Sequence, residues 1–312
     1  MSGVKVNTNV KATAVIIGGT GLLGVWISKV FLTDFRSAFP TVRITTRDVN
    51  AAKALELAAL GAELFSFEDS LDEVLKGADV VINTLPTSVP DAHKKVLAAV
   101  AASPAKVYFL SEFGIDHART SFPGYEFKEW QFKHELAAET RAALSDKKVI
   151  ALYTSMFLFL LGSPFAPLLG LDIKNNQFKS LGPATTRFTL SATTDIGRAV
   201  AQLALLALDA PSAARVPDVL CIAPTTTSTA ALAETVARVR GVPAGAVEEE
   251  DLEAFRKALR EAPAGKTIID YLRVILGEGA ADFSTDNGNE LVNPGESLWK
   301  WTTVEDELRA GA

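Results

Sequence analysis

The sequence contains a single cysteine among its 312 residues, Cys221. One cysteine cannot form a disulfide within the chain, and it cannot supply a cysteine-based zinc site. Because it stands in the apolar run 219–223, we expect a buried strand residue there. A lone thiol favours a reducing compartment, and the polar residues 1–11 do not predict a secretory leader. The expected location is therefore the cytoplasm.

The sequence also lacks a cluster of basic residues. Its formal net charge is -6, and no run of Lys and Arg would give a nucleic acid a basic face, so we expect no nucleic-acid partner. An uncharged stretch, 150–171, has the length of a membrane span. It contains Gly162, Pro164, Pro167 and Gly170, so we expect a buried strand followed by a pocket-lining loop, and no membrane segment.

Three common catalytic arrangements are missing. Many reductases use a tyrosine with a lysine four residues later, and none of the four tyrosines has this lysine: Tyr108, Tyr125, Tyr153 and Tyr271. The three histidines show no metal-ligand spacing: His93, His117 and His134. No Gly-x-Ser-x-Gly nucleophile elbow is present. We therefore expect no metal site and no serine-hydrolase chemistry.

The first half of the chain alternates strand-like and helix-like segments. Apolar runs predict strands at 13–17, 42–46, 63–67, 78–83, 106–110 and 149–153. Helical spacing predicts helices at 22–32, 51–60, 71–76, 91–102 and 127–144. Such alternation indicates a doubly wound α/β fold, with a parallel sheet covered by helices on both faces.

The second half is less regular. It predicts strands at 188–190 and 218–223, and helices at 194–208, 228–240, 249–261 and 267–277. We interpret it as a smaller lobe, some of whose segments return to the main sheet.

A glycine-rich turn joins the first strand to the first helix, with glycines at Gly18, Gly21 and Gly24. Glycine permits a tight turn and close backbone approach, and a helix N-terminus offers free N–H groups to a pyrophosphate. The pattern alone is weak, but the strand before it and the helix after it strengthen the interpretation. The turn predicts a dinucleotide site, against the alternative of a purely structural turn.

Arg47 ends the second predicted strand. Enzymes that use NAD usually place Asp or Glu here to accept from the ribose hydroxyl, whereas arginine suits the 2′-phosphate of NADP. Lys53 adds a second candidate charge, unless it is a solvated helix lysine. Asp48 favours NAD instead, since its carboxylate could accept from the ribose hydroxyl although it stands one residue after the usual position. The balance favours NADPH as the cofactor.

Lys133 is the one charge on a mostly apolar face of the predicted helix 127–144. That face carries, at helical spacing, Leu136, Ala137, Thr140 and Leu144. A lysine on an apolar stripe is costly unless it is paired or functional, and burial tunes an amine for proton transfer. The alternative is a side chain that extends out to solvent at the start of the helix. The spacing favours neither.

Several segments, in order along the chain, resemble the NmrA-like, isoflavone-reductase-like branch of atypical short-chain reductases. They are the turn 18–24, Ser111–Gly114, Phe132-Lys133-x-x-Leu136, Thr154–Phe157, Asp195–Gly197 and the tail Trp299–Leu308. The resemblance implies a Rossmann-type sheet. Residues 1–155 would form the NADP-binding domain and 156–312 the substrate-binding lobe.

The resemblance also implies roles. Lys133 falls where the family's catalytic lysine stands, Phe157 where a residue packs beside the nicotinamide, and Arg47 where an arginine binds the 2′-phosphate. Pro86 departs from the glycine that reductase relatives usually carry. The predicted cofactor residues are Gly18, Thr20, Gly21, Leu22, Leu23, Gly24, Arg47, Lys53, Thr84, Leu85, Pro86, Ser111, Glu112, Phe113, Lys133 and Phe157.

Two functions are compatible with these residues. The first is an NADPH-dependent reductase of a small, apolar or aromatic substrate, with Lys133 as proton donor and Met156, Phe159 and Phe165 lining the pocket. Plain core packing is the alternative for each of these three side chains. The second function is a non-catalytic NADP(H) sensor that regulates a partner. The sequence leaves the oligomeric state open, a homodimer included.

Overall fold

The computed structural model describes residues 4–6 and 8–311; residues 1–3 and 7, part of the polar segment in which no leader is predicted, lie outside them. The first half alternates strands and helices as expected. The strands are β1 (Thr13–Ile17), β2 (Thr41–Thr46), β3 (Glu63–Ser66), β4 (Val80–Asn83), β5 (Val107–Phe109) and β6 (Lys148–Tyr153). The helices are α1 (Gly24–Leu32), α2 (Ala52–Ala59), α3 (Leu71–Leu75), α4 (Pro90–Ala102) and α5 (Lys128–Ala143).

The second half contains shorter strands and seven further helices in the described residues. The strands are β7 (Met156–Phe157), β8 (Leu171–Asp172), β9 (Gln177–Leu181), β10 (Arg187–Ser191), β11 (Val219–Cys221), β12 (Thr225–Ser228) and β13 (Val247–Glu250). The helices are α6 (Thr193–Leu208), α7 (Ala210–Ala213), α8 (Thr229–Arg240), α9 (Leu252–Glu261), α10 (Ile268–Gly277), α11 (Asn289–Val292) and α12 (Val304–Ala310).

The central sheet has seven strands in the order β11-β6-β5-β4-β1-β2-β3, and every pair is parallel. The predicted doubly wound α/β fold is therefore confirmed. The direction of winding reverses between β1 and β4, and parallel sheets open a crevice at the carboxyl ends of the strands at such a point. The glycine-rich turn lies at this edge, because it directly follows β1.

Two elements from the second half pack onto the first. Strand β11 extends the central sheet beside β6, and α6 packs against α1. The later residues Trp299 and Trp301 are buried in the same core as α1 and α6. The backbone N–H of Thr302 donates to the side-chain Oδ2 of Asp195 at 2.7 Å, which fixes this tail to α6. The core of the first half thus includes side chains distant in sequence.

The remaining strands form two small sheets, β12-β10-β7 and β13-β9-β8. The helix predicted over 249–261 begins only at Leu252, because Val247–Glu250 pairs in parallel with β9. The uncharged stretch 150–171 contains the end of β6, then β7 and two 3-10 turns. Among the described residues, no helix combines the length and apolar character that crossing a bilayer requires.

Candidate functional site

The glycine turn after β1 is fixed by β2. The Gly18 N–H donates to Thr45 Oγ1 at 3.0 Å, and the Gly19 N–H donates to the Thr45 carbonyl at 3.1 Å. Gly18 has a φ of +80°, which favours glycine. The N–H groups of Leu22 and Leu23 have no acceptor among the described residues. They lie just before α1 and are available to an anion.

Two glycines of the turn tolerate no side chain. A Cβ on Gly24 would lie 2.4 Å from the Gly18 carbonyl oxygen, and one on Gly19 would lie 2.4 Å from Ile44 Cγ2. Gly24 is itself buried beneath the turn and does not line the cleft. Its contribution is to let α1 start directly against the turn.

Arg47 lines the cleft that opens from this turn, and its side chain makes no hydrogen bond or ion pair with other described residues. Asp48 lies outside the lining, and its carboxylate accepts from the Asn50 N–H at 2.8 Å. Lys53 is exposed on α2 and also lies outside the lining. Of the three charged residues weighed for the ribose, only Arg47 faces the cleft with a free side chain.

The loop 84–89 after β4 forms a second wall, and a buried polar network holds it. The Asn83 side chain accepts from the Leu85 N–H at 3.0 Å and donates to Tyr108 Oη at 2.9 Å. His93 bridges the Asn83 amide, at 3.1 Å, and the Pro86 carbonyl, also at 3.1 Å. Burial lowers the pKa of His93, which keeps the ring neutral, so that its Nε2–H donates to Pro86 and its Nδ1 accepts from Asn83.

Lys133 extends from α5 to the segment that follows β5. Its Nζ donates to the carbonyls of Ser111, at 2.8 Å, and Glu112, at 3.2 Å, and lies 3.3 Å from Glu112 Oε2. The Lys133 side chain is 22% exposed. On the same face, Leu136, Thr140 and Leu144 are buried, as the helical spacing predicts. The lysine is thus paired, and part of it still reaches open space.

Glu112 is a buried carboxylate with two polar neighbours. Its side chain is 3% exposed, and its Oε2 lies 3.2 Å from Nε2 of His117. Burial opposes ionisation of this carboxyl, but the hydrogen bond from His117 and the charge of Lys133 outweigh it, and the Glu112 pKa lies below its ordinary value. The group is therefore a carboxylate at neutral pH.

Two non-glycine residues beside the site have a left-handed backbone. Phe113 has a φ of +24° and Ser155 a φ of +56°. Such residues cost on the order of 1–3 kcal/mol each and concentrate at functional sites. The N–H of Ser155 donates to the Gly114 carbonyl at 3.0 Å, which joins the two strained segments.

These segments enclose two adjoining clefts. The larger has a volume of about 730 Å³ and is lined by Gly18, Thr20, Gly21, Leu22, Leu23, Arg47, Phe67, Thr84, Leu85, Pro86, Thr87, Ser88, Val89, Ala92, Ser111, Glu112, Phe113, Lys133 and Phe157. The smaller has a volume of about 200 Å³ and is lined by Glu112, Gly114, Ile115, His117, Trp130, Lys133, Ser155, Met156, Phe157, Leu160, Ile268 and Leu272. Three residues line both clefts, namely Glu112, Lys133 and Phe157.

The structure thus brings together fourteen of the sixteen residues predicted for the cofactor, leaving out Gly24 and Lys53. Of the substrate residues, Met156 lines the smaller cleft. Phe159 lies outside both clefts and packs on Phe157, with ring centroids 5.7 Å apart. Phe165 also lies outside both and is 53% exposed. Sequence reasoning missed Phe67, Trp130 and His117, which no motif marked.

Comparison with known proteins agrees with this architecture. A family model described as the NmrA-like family matches residues 10–292. Eugenol synthase 2 from Clarkia breweri is 32% identical over 123 residues, which are 36% of this chain and 40% of that enzyme. Phenylcoumaran benzylic ether reductase TP7 from Nicotiana tabacum is 32% identical over 119 residues, 36% of this chain and 38% of that one. The matched stretch spans less than half of either relative.

Among solved structures, the complex of leucoanthocyanidin reductase from Vitis vinifera with NADPH superposes with a TM-score of 0.73. The match covers 95% of this chain and 98% of that one at 16% identity, which establishes a shared fold. The family model is the broader evidence, because it spans nearly the whole sequence. The chain belongs to the NmrA-like family.

Proposed function

We propose that this protein is an NADPH-dependent reductase that transfers a hydride to a small apolar or aromatic substrate at an activated double bond, carbonyl or benzylic carbon. One observation carries the proposal: the Lys133 amine lies where the two clefts meet and lines both. A cofactor in the larger cleft and a substrate in the smaller one would meet beside a proton donor.

The larger cleft has the chemistry that NADPH requires. The turn at Gly18–Gly24 offers its N–H groups to the pyrophosphate, and Arg47 offers a free guanidinium to the 2′-phosphate. Phe67 gives the same cleft an aromatic wall on which a base can stack. When bound, NADPH supplies the hydride. Lys53, on the exposed surface of α2, contributes at most a longer-range charge.

The smaller cleft suits a substrate with one aromatic ring. Its apolar walls include Trp130, Met156, Leu160 and Leu272, and its polar lining residues are Glu112, His117, Lys133 and Ser155. A ring would bury its apolar surface against the first group, while an oxygen substituent faces the second. Phe159 supports this site indirectly, through its contact with Phe157.

Lys133 would stabilise negative charge that develops on the substrate and then donate a proton. Its two contacts with Glu112, at 3.2 and 3.3 Å, are longer than its 2.8 Å bond to the Ser111 carbonyl. An N–H directed at Glu112 is therefore the one most readily redirected to a substrate oxygen.

The test is NADPH oxidation with a panel of aromatic enones, aryl ketones and benzylic ethers. We expect Lys133→Ala to lower kcat by roughly 10²–10⁴-fold while the Kd for NADPH stays near the wild-type value. Lys128→Ala, on the exposed side of the same helix, is the matched control. Equal activity of Lys133→Ala and wild type would contradict the role of this lysine.

The second candidate is an NADP(H)-binding regulator without chemistry. The three N–H groups of Lys133 all have protein acceptors, which is the arrangement of a structural lysine. Tight NADPH binding with no oxidation across the whole panel would favour this function. In either case, the net charge of -6 supports a small molecule rather than a nucleic acid as the ligand. We also propose a cytoplasmic location, because a lone cysteine favours a reducing compartment.

A further inference from the structure

Behind Lys133, a continuous line of titratable side chains runs from the clefts to the surface. Glu112 Oε2 lies 3.3 Å from Lys133 Nζ and 3.2 Å from His117 Nε2, so one oxygen contacts both groups. The other ring nitrogen of His117 forms a short contact with Nε2 of His134. His134 is exposed on α5. Two buried groups, Glu112 and His117, therefore lie between the amine and the exposed surface of α5.

The contacts restrict which nitrogens donate. The carboxylate of Glu112 can only accept, so His117 donates to it through Nε2–H; in the neutral tautomer that does so, Nδ1 can accept from the Nε2–H of His134. Partial burial lowers the pKa of His134, so that ring is neutral near pH 7. With His117 in this tautomer, all donors in the line point in one direction, from the surface towards Glu112.

The groups packed around this line do not interrupt it. The ring of Tyr153 from β6 stands edge-on to His117, at 6.0 Å between centroids, and burial raises the pKa of its hydroxyl, which stays neutral. Asp116 on the same loop is paired with Arg119 at 3.2 Å. From α4, His93 is neutral because burial lowers its pKa. Glu112 is the carboxylate that contacts both Lys133 and His117.

We propose that Glu112, His117 and His134 form a proton path that reloads Lys133 from solvent. The proposal rests on the reductase function, because a hydride delivered to carbon must be matched by one proton. Lys133 Nζ gives that proton to the substrate anion and becomes an amine. The proton on His117 Nε2 then passes through Glu112 Oε2 to Nζ.

The His134 Nε2 proton moves next to His117 Nδ1, and His134 takes one proton from water at Nδ1. No electrons move along the path, and one proton leaves solvent for each substrate reduced. Both rings end neutral in their other tautomers and turn back before the next cycle. Glu112 returns to the carboxylate.

The kinetic test uses His134→Ala, which removes the surface end of the path and leaves Lys133 in place. We expect kcat to fall about tenfold with unchanged KM and NADPH affinity, a larger solvent isotope effect on kcat, and recovery when imidazole is added. Gln131→Ala, exposed one turn earlier on α5, should behave as wild type. Wild-type kcat in His134→Ala, or a loss that imidazole does not restore, would overturn the path.

A second measurement needs no turnover. In histidine NMR titrations of the protein without substrate, Glu112→Gln should shift the titration midpoint of His134, whereas Gln131→Ala should not. An unmoved midpoint overturns the path whatever the activity. If the wild-type protein reduces nothing but the midpoint moves, the reductase function fails and the connection of the four groups is still supported.

Discussion

His93 is the buried imidazole that ties the loop 84–89 to the central sheet, and His93→Leu removes that link at similar volume. The substitution leaves the Pro86 carbonyl without its donor and one Asn83 N–H without its acceptor. An unsatisfied buried polar group costs about 1–3 kcal/mol. Pro86 is exposed, so water can replace the lost donor there, and the Asn83 amide carries most of the cost. We expect a loss of about 1–2 kcal/mol in the free energy of unfolding.

The substitution should also weaken cofactor binding, because Thr84, Leu85 and Pro86 of the same loop line the larger cleft. A loop that must be ordered again on binding weakens affinity by the free energy of ordering, and 1.4 kcal/mol corresponds to about tenfold in Kd. We therefore expect the Kd for NADPH of His93→Leu to rise by roughly three- to tenfold. Urea unfolding and fluorescence titration with NADPH measure the two effects separately.

Tyr108→Phe is the matched control. It removes the other acceptor of the same Asn83 amide, at 2.9 Å, but has no direct contact with the loop. We expect a comparable loss of stability with unchanged NADPH affinity. Equal weakening of NADPH binding by both variants, or by neither, would refute the idea that His93 acts through the Pro86 carbonyl.

Three further predictions concern the turn, the cofactor phosphate and pH. Arg47→Ala should raise the Kd for NADPH by roughly 10- to 100-fold, the value of a charge-assisted hydrogen bond, and leave the Kd for NADH unchanged. Equal effects on both Kd values would place Arg47 outside the phosphate site. Gly24→Ala should abolish NADPH binding, because its Cβ would lie 2.4 Å from the Gly18 oxygen, whereas Gly162→Ala, with open space around it, should bind normally in the same titration. The pKa of His93 in the folded protein lies below its ordinary 6.5, so the unfolded chain binds more protons below that pH. The free energy of unfolding should therefore decline as pH falls below about 6.5. Urea midpoints measured against pH should decline less steeply in His93→Leu than in the wild type.

Most strands of the first half were predictable because they are buried apolar runs; β3, at the edge of the sheet, is the least buried of them. Val80–Asn83 and Thr13–Ile17 are almost wholly buried, and in a parallel sheet covered on both faces such runs need no alternation. β13 was missed for the opposite reason. Its residues Val247–Glu250 include three glutamates and pair with β9 through the backbone, so their side chains carry no strand pattern.

The candidate site also combines features that the sequence could predict with features that it could not. The position of Lys133 on an otherwise apolar face was predictable, because the spacing on α5 is a local property of one helix. Glu112 was also among the predicted cofactor residues. Its contacts with Lys133 and His117 were not predictable, since Glu112 and His117 stand on an irregular segment after β5 whose path depends on tertiary packing. The left-handed backbone of Phe113, with a φ of +24°, could not be predicted, because the residue is not a glycine. The sequence thus predicted Lys133, Ser111 and Glu112 as site residues, and only the fold showed that the amine contacts the other two.

The burial of Trp299 and Trp301 against α1 and α6 has a consequence for biosynthesis. A ribosome that has just completed β6 must add roughly 150 further residues before these tryptophans emerge, which takes on the order of ten seconds. During that interval the apolar surface that these tryptophans cover is exposed. We therefore expect the nascent chain to be prone to aggregation until the two side chains arrive.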